Sequence, residues 1–474
     1  MKKLFTLFLA LLPCFMYSQT AMSKELLPDL SIARSAHIQL VPSAGKYVVV
    51  GGHINGFYMT TTAEIFNSGT NLWQGATANN NRDMGYVAKL DNGKYLIGGG
   101  CSSNLGVGQL ASSEIYNPAD NSFTVGPAMN VARTNACAAT LKDGRVLVVG
   151  NWWITNTADY AEVYNPTNNS FTLTGKCLVA RSLPIIIPTN DGGAIVGGGS
   201  GIKGGDPTDF VFEKYNPISN TFTELTRTLF GGETTWKIVN GQPSLTQQYL
   251  MPDGKYAVLV YNTDYTKVRL ISIDPATSVI SEIVTQKPIP LLDDENASIT
   301  YTCSNTLMID QTHKLLHIIQ QASNNGDIIL RIVTINLQTG SVNSSKMSGF
   351  NYSVASSNLS MLDDGRILFT GGNKFDNFTL SSSAFIIKPA TYIETGIDNT
   401  QQTQPLKVRW DKQSQTLLFD EETNASLVNL NGKVLYKMEK SNKLYAPSLP
   451  AGLYIIQSKM DDKGLTRFLK VLIP

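Results

Sequence analysis

The sequence has few charged residues, few histidines and few cysteines. Asp, Glu, Lys and Arg make up 16% of its 474 residues, below the quarter that is typical of soluble domains. It contains four histidines and five cysteines. The four cysteines beyond the N-terminal segment have no metal-binding spacing; they are Cys101, Cys137, Cys177 and Cys303. We expect them to be buried small hydrophobes, although an oxidising location would also allow disulfides.

Long apolar runs are missing as well. The longest lies at the N-terminus, where Met-Lys-Lys is followed by apolar residues from Leu4 to Leu12. This run is too short to span a bilayer. A basic start followed by a short apolar run predicts a secretory signal peptide, which we place at residues 1–18. The residues before Cys14 weakly resemble a lipoprotein cleavage site, but Pro13 fits that motif poorly.

Three common catalytic signatures do not occur. The sequence contains no Gly-x-Ser-x-Gly, no His-Glu-x-x-His and no Gly-x-x-x-x-Gly-Lys-Ser/Thr. These motifs mark the nucleophile elbow of α/β-hydrolases, the zinc site of many peptidases and the phosphate loop of nucleotide-binding proteins. Glycine-rich stretches are present, but they recur at the ends of strand patterns inside a repeat. They therefore indicate strand ends rather than nucleotide loops.

The sequence does contain a repeat of about fifty residues. Its clearest mark is a glycine in a hairpin turn, mostly preceded by Asp, and Asp-Gly and Asn-Gly tolerate the positive φ of tight hairpins. The six glycines are Gly45, Gly93, Gly144, Gly192, Gly254 and Gly365, which are 48, 51, 48, 62 and 111 residues apart. The last interval corresponds to two units, with a degenerate turn near Asp310 to Lys314. The spacing predicts seven units.

Other residues keep the same register. An arginine lies eleven residues before the turn glycine in four units: Arg34, Arg82, Arg133 and Arg181. A glycine run ends the second strand pattern, as in Gly98-Gly99-Gly100. Two large side chains then follow seven residues apart in four units: Phe66/Trp73, Tyr116/Phe123, Tyr164/Phe171 and Tyr215/Phe222. Each unit is therefore predicted to be four short strands joined by turns.

The glycine run followed by spaced aromatics resembles the kelch family over residues 25–395. The resemblance implies a seven-bladed β-propeller, which we assign to residues 19–395. One such blade cannot bury both of its faces, whereas a closed ring covers every blade with two neighbours and protects the sheet edges. The predicted fold class is all-β, a propeller followed by a small C-terminal β-sandwich.

The chain beyond the repeat differs in charge. Residues 396–404 form a polar linker. Residues 405–474 contain eleven Lys and Arg and seven Asp and Glu, a balance of +4, against twenty-five and thirty in residues 19–404, a balance of −5. An acidic propeller argues against nucleic-acid binding.

The C-terminal residues read as short alternating strands. Asn431-Gly-Lys-Val, Leu449-Pro-Ala-Gly-Leu-Tyr and a terminal basic-apolar strand resemble the C-terminal sorting domain of type IX secretion substrates. The resemblance implies the type IX machinery as a partner and an extracellular or cell-surface location. The alternative is an ordinary small β-sandwich used for binding.

The predicted topology indicates where a ligand would bind. Short turns lie at one end of every unit, and the longer loops lie at the other, where binding residues concentrate. The four arginines begin the first strand of their units and so belong to the long-loop end. One hypothesis places Arg34, Arg82, Arg133 and Arg181 around an anionic ligand, with Trp152 and Trp153 as a stacking surface. The alternative, which we favour, is that the arginines tie the structure together, because a buried arginine must find partners.

The predicted function is a recognition or scaffold protein for an extracellular protein or glycan, without cofactor or metal. The alternative is a carbohydrate-active enzyme on the same propeller, resembling galactose oxidase or a sialate epimerase. The copper chemistry of galactose oxidase needs two histidines, two tyrosines and a cysteine near the axis. The histidines of this sequence do not match that set; they are His37, His53, His313 and His317.

Overall fold

The computed structural model divides the chain into two compact units, Met1–Tyr392 and Ile393–Pro474. The structure describes residues 22–55, 58–103, 108–152, 160–199, 212–230, 236–238, 249–262, 267–290, 298–300, 307–324, 327–354, 356–375, 378–390, 408–411, 414–429, 434–447, 449–450, 452–459 and 466–473. Every regular element of more than one turn in these ranges is a strand, which confirms the all-β prediction. No helix in these ranges has the length and apolar character that a membrane crossing needs.

The first unit contains β1 to β31. They are β1 (Ser23–Leu26), β2 (Ile38–Ser43), β3 (Lys46–Val50), β4 (His53–Ile54), β5 (Tyr58–Met59), β6 (Thr62–Asn67), β7 (Leu72–Thr77), β8 (Tyr86–Lys89), β9 (Tyr95–Gly98), β10 (Ser113–Asn117), β11 (Ser122–Val125), β12 (Cys137–Thr140), β13 (Val146–Val149), β14 (Tyr160–Asn165), β15 (Ser170–Lys176), β16 (Ile185–Pro188), β17 (Ala194–Gly197), β18 (Phe212–Asn216), β19 (Thr221–Thr226), β20 (Trp236–Ile238), β21 (Tyr256–Asn262), β22 (Val268–Ile273), β23 (Ile280–Ile283), β24 (Ser298–Thr300), β25 (Leu307–Asp310), β26 (Leu315–Asn324), β27 (Asp327–Asn336), β28 (Val342–Met347), β29 (Asn358–Met361), β30 (Ile367–Thr370) and β31 (Ala384–Lys388).

These strands form seven small antiparallel sheets within the described residues, numbered here one to seven along the chain. The first six are β2-β3-β6-β7, β8-β9-β10-β11, β12-β13-β14-β15, β16-β17-β18-β19, β20-β21-β22-β23 and β24-β26-β27-β28, with β25 paired to β26. Sheet seven combines β29, β30 and β31 with β1, so the N-terminal strand completes the last sheet. A separate ribbon pairs β4 with β5.

Burial decreases from the second to the fourth strand of a sheet. In sheet two, all four residues of β9 are buried, whereas β11 is partly to fully exposed. A strand that is apolar on both faces needs cover on both faces. Apolar clusters between successive sheets provide it, for example Leu40 and Ile65 against Val87 and Ile97. The arrangement of small sheets packed face to face is β-propeller-like.

The hairpins follow the sequence pattern. Gly93 and Gly144 have φ of 80° and 82°, as the predicted tight turns require. Tyr116 lies directly opposite Phe123, and their ring centroids are 4.8 Å apart. The seven-residue spacing of large side chains therefore marks a cross-strand pair on the third and fourth strands of a sheet.

The second unit contains five strands in the described residues. They are β32 (Val408–Asp411), β33 (Thr416–Val428), β34 (Val434–Tyr445), β35 (Gly452–Lys459) and β36 (Thr466–Ile473). The sheet order is β32-β33-β35-β36, and β34 pairs with β33. Leu417, Leu427 and Ile456 are fully buried in its core. The β-sandwich expected for residues 405–474 remains a prediction.

Candidate functional site

The four arginines singled out in the sequence are buried inside their sheets. Each guanidinium group pairs with a glutamate on the third strand of the same sheet, at 2.6 to 3.2 Å between Nη2 and Oε1. The pairs are Arg34–Glu64, Arg82–Glu114, Arg133–Glu162 and Arg181–Glu213. The arginines are 0 to 3% exposed. Charges taken out of water need such partners.

The same ion pair also holds two stretches of backbone. In sheet two, Arg82 Nη1 donates to the carbonyl of Gly99, at the end of the second strand. Glu114 Oε2 accepts the N–H of Asn79, which precedes the first strand, at 2.7 Å. The other three units repeat both contacts. Each pair therefore fixes the entry of the first strand against the end of the second, at the long-loop end.

The arginine backbone links one sheet to the next. The N–H of Gly52 in sheet one donates to the carbonyl of Arg82 in sheet two at 2.8 Å, and Gly100 repeats the contact with Arg133 at 2.7 Å. Gly372 of sheet seven donates to Arg34 of sheet one at 2.8 Å. These positions support the tying role that we favoured for the arginines. The anion-binding role is a prediction that these contacts do not support.

The four glutamates were missed in the sequence. Each lies two residues before the first aromatic of its pair, so a signal in register was present: Glu64, Glu114, Glu162 and Glu213. A glutamate in a strand is usually solvent-facing, so its presence does not predict burial. In these four sheets the glutamate side chain is buried against the arginine, and the pairing of the strands alone does not predict this orientation.

Trp152 is half-buried, and its backbone N–H donates to the carbonyl of Thr134 at 3.1 Å. Trp153 lies outside the described residues. Asn151, next to Trp152, is fully buried and accepts a hydrogen bond from Gln109 Nε2 at 2.9 Å. The structure thus places Trp152 on a well-fixed part of the long-loop end. Its role as a stacking surface remains a prediction.

A polar cluster at the long-loop end was not predicted. Asp83 follows Arg82 directly and pairs with Cys101 in an isolated antiparallel bridge. Its carboxyl Oδ2 lies 3.7 Å from Nδ1 of His53, which belongs to the separate ribbon of β4 and β5. Burial raises the pKa of Asp83 to about 6, against hydrogen bonds from the backbone of Cys101 and Asp83. Burial also lowers the pKa of His53 and raises that of the Cys101 thiol.

A pocket of about 780 Å³ opens at the opposite, short-turn end. It is lined by the first strands and turns of four neighbouring sheets, including Lys89, Asp91 and Lys142. Lys142 Nζ donates to the carbonyl of Asn190 at 2.8 Å, which ties two of the turns together. No sequence pattern predicts this pocket, because it arises only where several sheets meet.

The described residues do not fit a copper centre. They contain no group of three or more His, Cys, Asp or Glu side chains that could hold a metal. His37 is hydrogen-bonded through Nε2 to Thr370 Oγ1 at 2.8 Å, and burial and the charge of Arg34 lower its pKa to about 3. His317 bonds to Thr334 at 2.9 Å, and His313 pairs with Asp310 at the short-turn end at 2.6 Å. His37 is thus bonded to sheet seven, His53 lies beside Asp83, and His313 and His317 both belong to sheet six.

The cysteines behave as expected where the structure describes them. Cys101, Cys137 and Cys177 are buried thiols. Burial raises the pKa of Cys137 above its usual range, so this thiol stays protonated. Cys303 lies outside the described residues.

Comparisons with known proteins inform only the fold. No protein-family model matches the sequence, and no curated protein matches it. Among solved structures, 318 chains match the fold. One is a fungal alcohol oxidase of the AA5 family in complex with copper, with a TM-score of 0.52 and 13% identity, covering 96% of this chain and 100% of the oxidase. The likeness supports an all-β, β-propeller-like fold for this chain and assigns it no activity.

Proposed function

We propose that residues 19–395 form a closed, seven-bladed kelch-type propeller that acts as an exported recognition protein. Two contacts between the first and last sheets support ring closure. Tyr47 and Phe66 of sheet one share an apolar cluster with Leu368 and Ile386 of sheet seven. The strand β1 pairs with β31 and so adds residues 23–26 to sheet seven, and in the proposed ring these hydrogen bonds would fasten the closure.

The repeated Arg–Glu pair is the observation that carries the recognition role. It fixes the start of the first strand to the end of the second in four sheets, so the long loops leave from rigid points. A preorganised loop loses less conformational entropy when it binds. We therefore assign ligand contact to the long-loop end, to Trp152 and Trp153 and the polar cluster, rather than to the buried arginines. The ligand would be an extracellular protein or glycan.

Residues 405–474 would direct export through the type IX machinery, after a signal peptide has taken the chain into the periplasm. The protein would then be found outside the cell or on its surface. Deleting residues 405–474 should leave the propeller folded and retain it in the periplasm, whereas the full chain is exported. Fractionation of cells with a type IX system tests this. A truncated chain that still reaches the medium would exclude the sorting role.

Two measurements on the purified protein test the recognition role: whether it binds a ligand and whether it catalyses a reaction. We expect the purified propeller to capture a surface protein or glycan in cross-linking and array experiments. Metal analysis of the same preparation tests the alternative of a copper oxidase, the class to which the AA5 structural neighbour belongs. Copper at one ion per chain together with alcohol oxidation would replace the recognition role.

A further inference from the structure

The buried Arg–Glu pair of sheets one to four is replaced in sheet five. Phe230 has a φ of 47°, a left-handed value that also occurs two residues after each of the four buried arginines. Thr228 therefore takes the place of the arginine in sheet five, and Ile271 takes the register of the glutamate. An arginine is found instead on the third strand of this sheet. It is Arg269, whose side chain is 36% exposed.

Three side chains hold the guanidinium group of Arg269 in one orientation. Its Cζ lies 4.0 Å from the ring centroid of Phe230 and 5.4 Å from that of Trp236. The two rings meet edge-on, with their centroids 4.9 Å apart. Arg269 Nε lies 2.9 Å from Oε1 of Glu282 on the fourth strand. Because stacking on rings and an ion pair both fix a planar cation, this guanidinium is preorganised.

Arg269 lines a cavity of about 540 Å³. Its Nη1 and Nη2 make no hydrogen bond to the residues that the structure describes, so both nitrogens can donate to a ligand. Glu282 lines the same cavity, its side chain is 34% exposed, and its Oε2 accepts no hydrogen bond from the described part of the chain. Val284, which is 78% exposed, and Pro288 add an apolar wall.

The cavity lies at the long-loop end of sheet five. Its lining includes Lys267, which directly precedes the third strand, and Thr285, which follows the fourth. The turn between these two strands, residues 274–279, is at the opposite end. Lys267 is exposed and adds a second cation to the cavity. The cavity therefore presents two cations and one carboxylate where the proposed recognition role places ligand contact.

We propose that this cavity binds an acidic sugar, a uronic acid unit of a glycan, with the sugar carboxylate on Arg269. The assignment rests on the proposed recognition role and adds to it a contact site on sheet five. A guanidinium group matches a carboxylate through two parallel hydrogen bonds. Glu282 needs a hydrogen-bond donor, which sugar hydroxyl groups supply and the carboxylate of an acidic peptide side chain does not. Val284 and Pro288 would contact the C–H face of the sugar ring.

Isothermal titration calorimetry of the purified protein tests the proposal with tetragalacturonate, its methyl ester and tetraglutamate. The ester keeps the sugar hydroxyl groups and loses the charge. Tetraglutamate keeps the carboxylates and has no sugar hydroxyl groups. We expect tetragalacturonate to bind about tenfold more tightly than either of the others, because it alone satisfies both Arg269 and Glu282.

Replacement of Arg269 separates binding from a structural role. Arg269→Lys keeps the charge but loses the planar fork, and it should weaken tetragalacturonate binding about tenfold. The matched control is Arg227→Lys, because Arg227 pairs with Glu224 at 2.7 Å and does not line this cavity. The control should change the affinity less than about twofold. Both variants should melt close to the wild type, since exposed ion pairs contribute little to stability.

Four results would overturn the proposal. They are no binding of tetragalacturonate, equal binding of its ester, an unchanged affinity in Arg269→Lys, and equal or tighter binding of tetraglutamate, which would indicate an acidic peptide instead of a sugar. If Arg269 only stabilised the fold, Arg269→Lys would lower the melting temperature without changing the affinity.

The recognition role is judged separately, by the capture of a surface protein or glycan. If Arg269→Lys captures the same ligand as the wild type, the propeller remains a recognition protein and only the role of this cavity is lost.

Discussion

At the scale of single residues, the buried Arg–Glu pairs show how one register position can be filled in two ways. Sheets one to four place glutamate on the third strand, and sheets five, six and seven place Ile271, Val333 and Phe385 at the same register. All three are buried. Apolar side chains of similar volume often replace a buried ion pair without loss of stability. Removal of only one partner strongly destabilises the folded state, because the other charge stays buried and unpaired.

This predicts a large effect for breaking one pair. Arg133→Met leaves Glu162 charged and unpaired in the interior, and we expect a loss of about 3–5 kcal/mol in the free energy of unfolding. Adding Glu162→Leu should recover much of that loss. The recovery stays incomplete because Glu162 also accepts the N–H groups of Asn130 and Val131.

Guanidinium denaturation of both variants measures these differences. If Arg133→Met kept its stability but lost a ligand, the tying role would be wrong. The anion-binding hypothesis would then return for this residue.

At the scale of elements, the glycine run is a contact between sheets as well as a strand end. The N–H of Gly100 donates to Arg133 of the next sheet. A Cβ on Gly100 would lie 2.2 Å from the carbonyl oxygen of Asp83, and its φ is 88°. The position therefore combines a left-handed backbone with a backbone approach that leaves no room for a methyl group.

A comparison of two glycines with similar φ separates these effects. Gly93→Ala should cost about 1 kcal/mol from backbone strain alone, because its φ is 80° and nothing lies within 4 Å of the added Cβ. Gly100→Ala should cost several times more. Thermal unfolding followed by circular dichroism measures both. Equal losses would mean that the backbone at Asp83, which precedes the first strand of the same sheet, can shift to admit the methyl group.

At the scale of the whole molecule, the seam between sheets one and seven is held by buried polar side chains. His37 bonds to Thr370, and Gln39 Nε2 donates to Ser360 at 2.8 Å. The pKa of His37 is lowered to about 3 by burial and by the charge of Arg34. Its stabilising contribution is complete above the unfolded pKa of about 6.5 and is lost progressively as the pH falls towards 3.

We therefore expect acid to weaken the seam. Between pH 7 and pH 4, His37 should account for up to about 3 kcal/mol of lost stability, and His37→Gln should remove that part of the pH dependence. Asp83 acts in the opposite direction, since its raised pKa stabilises the fold as the pH falls. It is present in both proteins, so their difference isolates His37. Parallel stability curves from urea unfolding at several pH values would contradict this account.

The sequence by itself determined the all-β class, the position of the hairpin turns and the pairing of the large side chains. These three features follow from residues that are close together in the sequence and from the alternation of side chains along a strand, so local sequence patterns predict them. The tertiary structure decided which charges face inward. Arg82 and Glu114 are 32 residues apart, and Asp83 lies near His53 only because the ribbon of β4 and β5 is folded beside sheet two. These contacts join residues that are distant in the sequence, so no local pattern predicts them.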